Sequence, residues 1–178
     1  MLYKEYYTSP LGEMLLIARD NKLISCDFMT AKYYHHQKEA EAKREKVAVL
    51  SDTMLWLNQY FNRQIPDFCP DIDLEGTAFQ KEVWELLLKI PYGKTVTYKD
   101  IAEEIALKRN ITRMSNQAVG QAVSKNPISI IVPCHRVIGT DGSLTGYASG
   151  VDKKKFLLEL EMHGNIDKEL KFYSKNAK

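Results

Sequence analysis

Ile128-Ser129-Ile130-Ile131-Val132-Pro133-Cys134-His135-Arg136-Val137 sets a thiol and an imidazole directly after a β-branched run that a proline stops. The run Ile128 to Val132 reads as a short core strand, because β-branched residues fit a pleated, buried surface and Pro133 cannot continue the ladder. Cys134 is then expected on rigid support. A free cysteine has a pKa of about 8.5 and is mostly protonated at neutral pH, so it becomes a nucleophile only where a neighbour favours the thiolate. His135 is the nearest base. Adjacent residues rarely face one another, so a relay through a turn or a water is expected over a direct bond, with a third group orienting the imidazole. Taken alone, a cysteine beside a histidine is more often a buried structural thiol.

Upstream of this stretch the pattern is helical. Thr77-Ala78-Phe79-Gln80 has the form of a capping box, and Phe79, Val83, Leu86, Leu87 and Ile90 follow at helical spacing until Pro91-Tyr92-Gly93. Thr97 can cap a helix carrying Ile101, Ala102 and Ile105, and Ser115 another carrying Ala118, Val119, Ala122 and Val123. Two short helices joined by a turn rich in Lys, Arg and Asn read as a helix-turn-helix, with an ordinary helical hairpin as the alternative. Small residues at Ala118, Gly120 and Ala122 allow either close approach to DNA or tight helix packing. Downstream, Asp152 can cap a last helix that Gly164 can end, with Glu161 in its last turn and His163 as a helix-end residue. A carboxylate at Glu161 opposes the helix dipole, which suggests a role beyond helix stability.

The N-terminal part reads differently. Lys4 to Tyr7, Met14 to Ala18 and Leu23 to Phe28, separated by Ser9-Pro10-Leu11-Gly12 and Asp20-Asn21, predict a small antiparallel meander. Ala31 to Lys46 is polar, either a long loop or a solvated helix. Val47, Leu50, Met54, Leu57 and Phe61 recur at three- and four-residue steps and predict an amphipathic helix on that sheet. Pro66, Pro70, Asp67, Asp71 and Asp73 mark a linker. The expected architecture is α+β, with an N-terminal antiparallel-sheet lobe over residues 1–72 and a mainly helical C-terminal lobe over residues 73–178.

At 178 residues, 44% hydrophobic and 27% charged, the chain has an ordinary globular composition. It has no apolar run of membrane-span length and no secretory pattern at Met1 to Glu5, so no membrane is expected and the cytoplasm is the expected compartment, or the nucleus in a eukaryote. Cys26, Cys69 and Cys134 cannot form a disulfide framework. With His35 and His36 they match no structural zinc spacing, and no metal is expected. Net charge is only +2, yet between Pro91 and Arg136 seven basic residues face three acids. That excess suits either a nucleic-acid face or a solvated helical surface.

Several segments together resemble the O6-alkylguanine-DNA alkyltransferases. They are Asn126-Pro127, Ile131 to Gly139, Thr95-Val96-Thr97-Tyr98, Ala118-Val119-Gly120, Gly142 to Gly150 with Tyr147, and Leu157-Leu158-Glu159-Leu160-Glu161. The likeness is strong over roughly residues 75 to 164. It implies that Cys134 accepts the alkyl group from guanine O6, that a relay runs from Cys134 through a water to His135 and Glu161, and that Tyr98 donates a proton to O6. It further implies that Asn126 orients the histidine and the helix end. Gln117, Ala118, Gly120, Arg113, Ser115, Lys125 and Arg136 would bind DNA, while Val137, Tyr147, Ala148 and Ser149 would wall the base pocket.

The implied partner is alkylated double-stranded DNA met by a monomer, with no cofactor. A thioether product is not hydrolysed, so each chain would act once. Three departures stand out. Gln117 occupies the position where relatives commonly insert arginine into the base stack, Ala148 stands where some carry serine, and the region from Ala106 to Ser115 is longer than in several relatives. A DNA-binding lesion sensor and a Cys–His hydrolase are the rival readings.

Overall fold

The computed structural model describes residues 1–162; the expected helix end at Gly164 and the placement of His163 lie outside them. The described chain divides into two compact units, one formed by Met1–Glu75 with Pro127–Ile131 and the other by Gly76–Asn126 with the described residues that follow Ile131. The mixed α+β composition follows the sequence reading. The division does not fall at residue 72, because Leu23 donates its N–H to the Asp71 carbonyl at 2.7 Å and accepts from the Asp73 N–H at 2.9 Å. Arg19 and Lys38 also both bind the Glu75 carboxylate. The expected linker is strapped to the first unit.

In that unit, β1 (Leu2–Ser9), β2 (Gly12–Arg19) and β3 (Lys22–Phe28) form the predicted meander, and the sheet order is β3-β2-β1-β4. Asp20 and Asn21 have φ of 50° and 57°, as a two-residue hairpin with the right twist requires. Both faces of β2 are covered: Leu15 and Ile17 join Ile24 and Ala42 on one side, and by strand alternation Met14, Leu16 and Ala18 face the other. Helix α2 (Ala48–Phe61) packs on this sheet, burying Val49, Leu50, Thr53, Trp56, Leu57 and Tyr60. Ala31 to Lys46, read as loop or helix, contains a short α1 (His36–Glu41) and then β4 (Lys43–Arg44), which pairs in parallel with β1. Cys26 lies buried within β3, and Cys69 is exposed.

Residues 128–132 do not form the predicted strand. They are buried as expected, but Ile128 makes one isolated bridge to Cys26, and Ile130 turns the chain at φ 72° with the Ile131 N–H donated to the Ser129 carbonyl at 2.9 Å. A β-branched residue at positive φ costs on the order of 1–3 kcal/mol and persists only where its surroundings fix it. Here Ser129 Oγ donates to Asp27 Oδ1 at 2.9 Å, and the Cys26 backbone bonds on both sides of Ile128.

The second unit holds α3 (Ala78–Leu87), α4 (Tyr98–Lys108), α5 (Asn116–Ser124) and α6 (Val151–Glu161). Thr77 and Gln80 close a capping box on α3, Thr97 and Asp100 close one on α4, and Ser115 caps α5. The cap of α6 is Gly150 at φ 101°, not Asp152, whose carboxylate instead sits in the first turn. Strands β5 (Val96–Thr97) and β6 (Val137–Ile138) form a two-stranded parallel sheet. Since β5 runs into the cap of α4 and β6 leaves the cysteine motif, this ladder brings Tyr98 beside that motif. Among the described residues no helix is long and apolar enough to cross a membrane.

Candidate active site

Two tight turns present the thiol. Pro133 at φ −83° and ψ 63° centres a three-residue turn in which the Cys134 N–H is donated to the Val132 carbonyl at 2.8 Å. Asn126 donates its side-chain amide to that same carbonyl at 2.8 Å, so its described bond fixes the turn before the cysteine. Cys134–Arg136 then form a 3₁₀ turn, whose successive side chains point about 120° apart. Cys134 is 5% exposed and His135 fully buried. The divergence of the two side chains fits a relayed proton path.

His135 Nε2 lies 2.7 Å from Glu161 Oε1. Arg136 Nε donates to Glu161 Oε2 at 2.8 Å, Nη2 to Oε1 at 2.9 Å, and Nη1 to the Ile90 carbonyl at 2.7 Å, with the guanidinium over the Tyr92 ring. The Gly93 N–H also reaches Glu161 Oε2 at 3.3 Å. Burial alone would push the Glu161 pKa up, but His135 and Arg136 outweigh it and hold the carboxyl well below its usual range. Burial pushes the His135 pKa down, against the pull of Glu161. Arg136 is always charged, so Glu161 stays anionic while His135 is neutral. An anionic carboxylate accepts the Nε2–H, which makes Nδ1 the basic nitrogen of the ring.

This geometry corrects one expectation. Arg136 is 8% exposed and spends its donors inside the protein, so it is a countercharge for Glu161 and not a phosphate contact. Glu161 itself is in the last turn of α6, as expected.

Tyr98 stands at the first residue of α4 and donates its hydroxyl to the Thr145 carbonyl at 2.8 Å. Its pKa is pushed up to about 12, by burial first and then by Cys134, so it remains a neutral donor across the working pH range. Gly146 is required here twice: φ is 77°, and a Cβ would lie 2.9 Å from the Tyr98 hydroxyl oxygen. Gly120 also faces Tyr98, the ring atom Cδ1 being 3.8 Å from where its Cβ would be, which sets this residue beside the donor on the inner side of α5. The expected pocket walls Tyr147, Ala148 and Ser149 are half-buried in the loop between Gly146 and Gly150, and Val137 is buried in β6. Leu144 anchors that loop in a cluster with Ile138, Leu158 and Met162.

Arg113, Ser115, Gln117 and Lys125 are all exposed on or beside α5, and Ala118 is half-buried. Lys99, Thr112, Arg113 and Asn116 line an open groove of about 280 Å³ between α4 and the turn before α5. The positive face is smaller than the sequence count implied, because Arg136 is internal and Arg109 binds Glu82 at 2.5 Å. Among the described residues no group of three or more His, Cys, Asp or Glu is placed to hold a metal ion.

One residue of the site escaped the sequence reading. Lys154 is 1% exposed, donates Nζ to the Thr145 carbonyl at 3.0 Å and lies over the Tyr98 ring, 5.7 Å from its centroid. It is the middle residue of Lys153-Lys154-Lys155, where charge alone does not mark one lysine out from its neighbours. The signal was the helical step from Lys154 to Leu157, Leu158 and Glu161, which puts this one lysine on the buried stripe.

Residues 78–163 match the family profile described as 6-O-methylguanine DNA methyltransferase, DNA binding domain, and residues 2–74 that described as 6-O-methylguanine DNA methyltransferase, ribonuclease-like domain. The chain therefore belongs to the 6-O-methylguanine DNA methyltransferase family. It is 43% identical to a methylated-DNA–protein-cysteine methyltransferase of Methanosarcina barkeri over 90% of this chain and 97% of that protein. A relative of the same name in Haemophilus influenzae is 39% identical over 94% and 90%. Mycobacterium tuberculosis OGT, solved in complex with DNA, superposes at a TM-score of 0.79 with 36% identity, covering 96% of this chain and 98% of that one.

Proposed function

We propose that this chain is a DNA repair methyltransferase that takes the alkyl group of O6-alkylguanine onto Cys134. The observation that carries the reading is the buried Arg136–Glu161–His135 array ending at the Cys134 turn, with the Tyr98 hydroxyl beside it. In the transfer, the sulfur–carbon bond forms as the carbon–O6 bond breaks. The thiol proton passes through a water to His135 Nδ1, and O6 takes a proton from Tyr98, so guanine leaves neutral. A thioether resists hydrolysis, and each monomer is spent after one transfer. Duplex DNA is the partner, with the target base rotated out of the stack at a cost of roughly a few kcal/mol. The cytoplasm is the proposed compartment, and no cofactor takes part. The reading is tested by nucleoside analysis of a duplex containing O6-methylguanine: unmodified guanine should be recovered in proportion to protein added. Persistence of the lesion under excess protein would favour a sensor.

Tyr98→Phe keeps the ring and removes the donor. Single-turnover transfer should slow by about 10²-fold, the lower range for a general acid, with duplex affinity unchanged. An unaltered rate would take Tyr98 out of the chemistry.

Gln117 lacks the charge and reach of an arginine, although it is exposed near the start of α5. Gln117→Arg should tighten duplex binding and speed repair of duplex substrate more than reaction with free O6-benzylguanine, which needs no flipping. Equal responses of the two substrates would show that another side chain fills the vacated stack.

A further inference from the structure

Lys154 occupies a position with a structural cost and no evident structural return. Its ammonium is buried, it stands in the first turn of α6 where a cation opposes the helix dipole, and its pKa is pulled down to about 8 by burial although Cys134 favours its charged form. A methionine of similar length would fill the same space without desolvating a charge. Yet the ammonium shares one acceptor with the proposed proton donor, for the Thr145 carbonyl receives both Lys154 Nζ at 3.0 Å and the Tyr98 hydroxyl at 2.8 Å. The ammonium also lies 5.7 Å from the centre of the Tyr98 ring.

We infer that Lys154 is a positioning residue that releases the Tyr98 hydroxyl from the Thr145 carbonyl to the substrate oxygen. Two donors on one carbonyl weaken each other's hold, and the charged donor is the stronger. When Tyr98 turns to guanine O6, Lys154 keeps the carbonyl satisfied and the loop in place. As the phenol O–H bond breaks and the proton passes to O6, the negative charge left on Tyr98 develops beneath a fixed cation. Lys154 touches neither sulfur nor base in this account. It acts through Tyr98.

The inference rests on the alkyl transfer proposed above, and a double-mutant cycle separates the two. Single-turnover methyl transfer from an O6-methylguanine duplex is measured for the wild type, Lys154→Met, Tyr98→Phe and the double variant. Lys154→Met should slow transfer by about tenfold, and in the Tyr98→Phe background it should slow it no further, because residues acting as one unit are not additive. Should Lys154→Met not fold, as judged by its thermal transition, Lys154→Gln serves in the same cycle. Multiplicative slowing in the double variant, or a wild-type rate for the single one, overturns the inference while leaving the transfer reading intact. A wild type that moves no methyl group overturns both.

Discussion

Arg136→Met should destabilise the protein by about 3–5 kcal/mol at neutral pH, the range for removing one partner of a buried ion pair. The loss is large because the guanidinium makes two bonds to Glu161 and one to the Ile90 carbonyl, all inside the second unit. Without it, Glu161 either takes a proton or draws one onto His135. Neither form leaves a neutral imidazole with Nε2–H held and Nδ1 basic, so transfer should fail together with stability. The pH dependence follows from the depressed Glu161 pKa. Its contribution is present above the unfolded carboxyl pKa of about 4.3 and is lost as pH falls through the lower folded value. In Arg136→Met the folded value rises, and that contribution shrinks even at neutral pH. Urea unfolding of both proteins at pH 7 and at about pH 3 measures this, and the wild type should lose more stability between the two than Arg136→Met. If Arg136 were a phosphate contact, its removal would instead leave stability unchanged and lower the salt dependence of DNA binding by about one ion.

Cys134→Ser should abolish transfer altogether while duplex affinity stays within about threefold of wild type, since an un-ionised hydroxyl is a far poorer nucleophile than a thiolate. The exposed candidates for DNA contact, Arg113, Ser115, Gln117 and Lys125, lie on or beside α5 and do not depend on the sulfur. Transfer rate and fluorescence-anisotropy affinity on the same duplex give the two halves of the result. Loss of binding along with transfer would make the thiol a support of the fold.

What was legible in the sequence was local. The capping signals at Thr77, Thr97 and Ser115, and the Asp20-Asn21 turn, fix element starts through hydrogen bonds only a few residues long, and all four stand where they were expected. The Cys134 motif was legible because the resemblance supplied its partners, Glu161 above all, which the fold brings from 26 residues away.

The misses share one cause: they depend on what packs against a residue. A two-residue strand such as β4 has no alternation to detect, and its pairing with β1 is set by tertiary contact. The β-branched run before Pro133 announced burial correctly, but Ile130 turns where propensity favours extension, held by Asp27 and Cys26 far away in sequence. Arg136 was expected at the DNA face and Lys154 drew no reading, because long basic side chains are usually exposed. Their burial requires Glu161 and the Thr145 carbonyl as partners, and no local pattern announces such pairs.

The central claim, that the alkyl carbon ends on this protein's own sulfur, is met most directly by intact-protein mass spectrometry after incubation with excess O6-methylguanine duplex, followed by peptide mapping. Each chain should gain the mass of one methylene unit, no more however long the incubation, and the gain should map to the peptide containing Cys134. An unchanged mass while the lesion disappears, or a methyl group on any other residue, would contradict it.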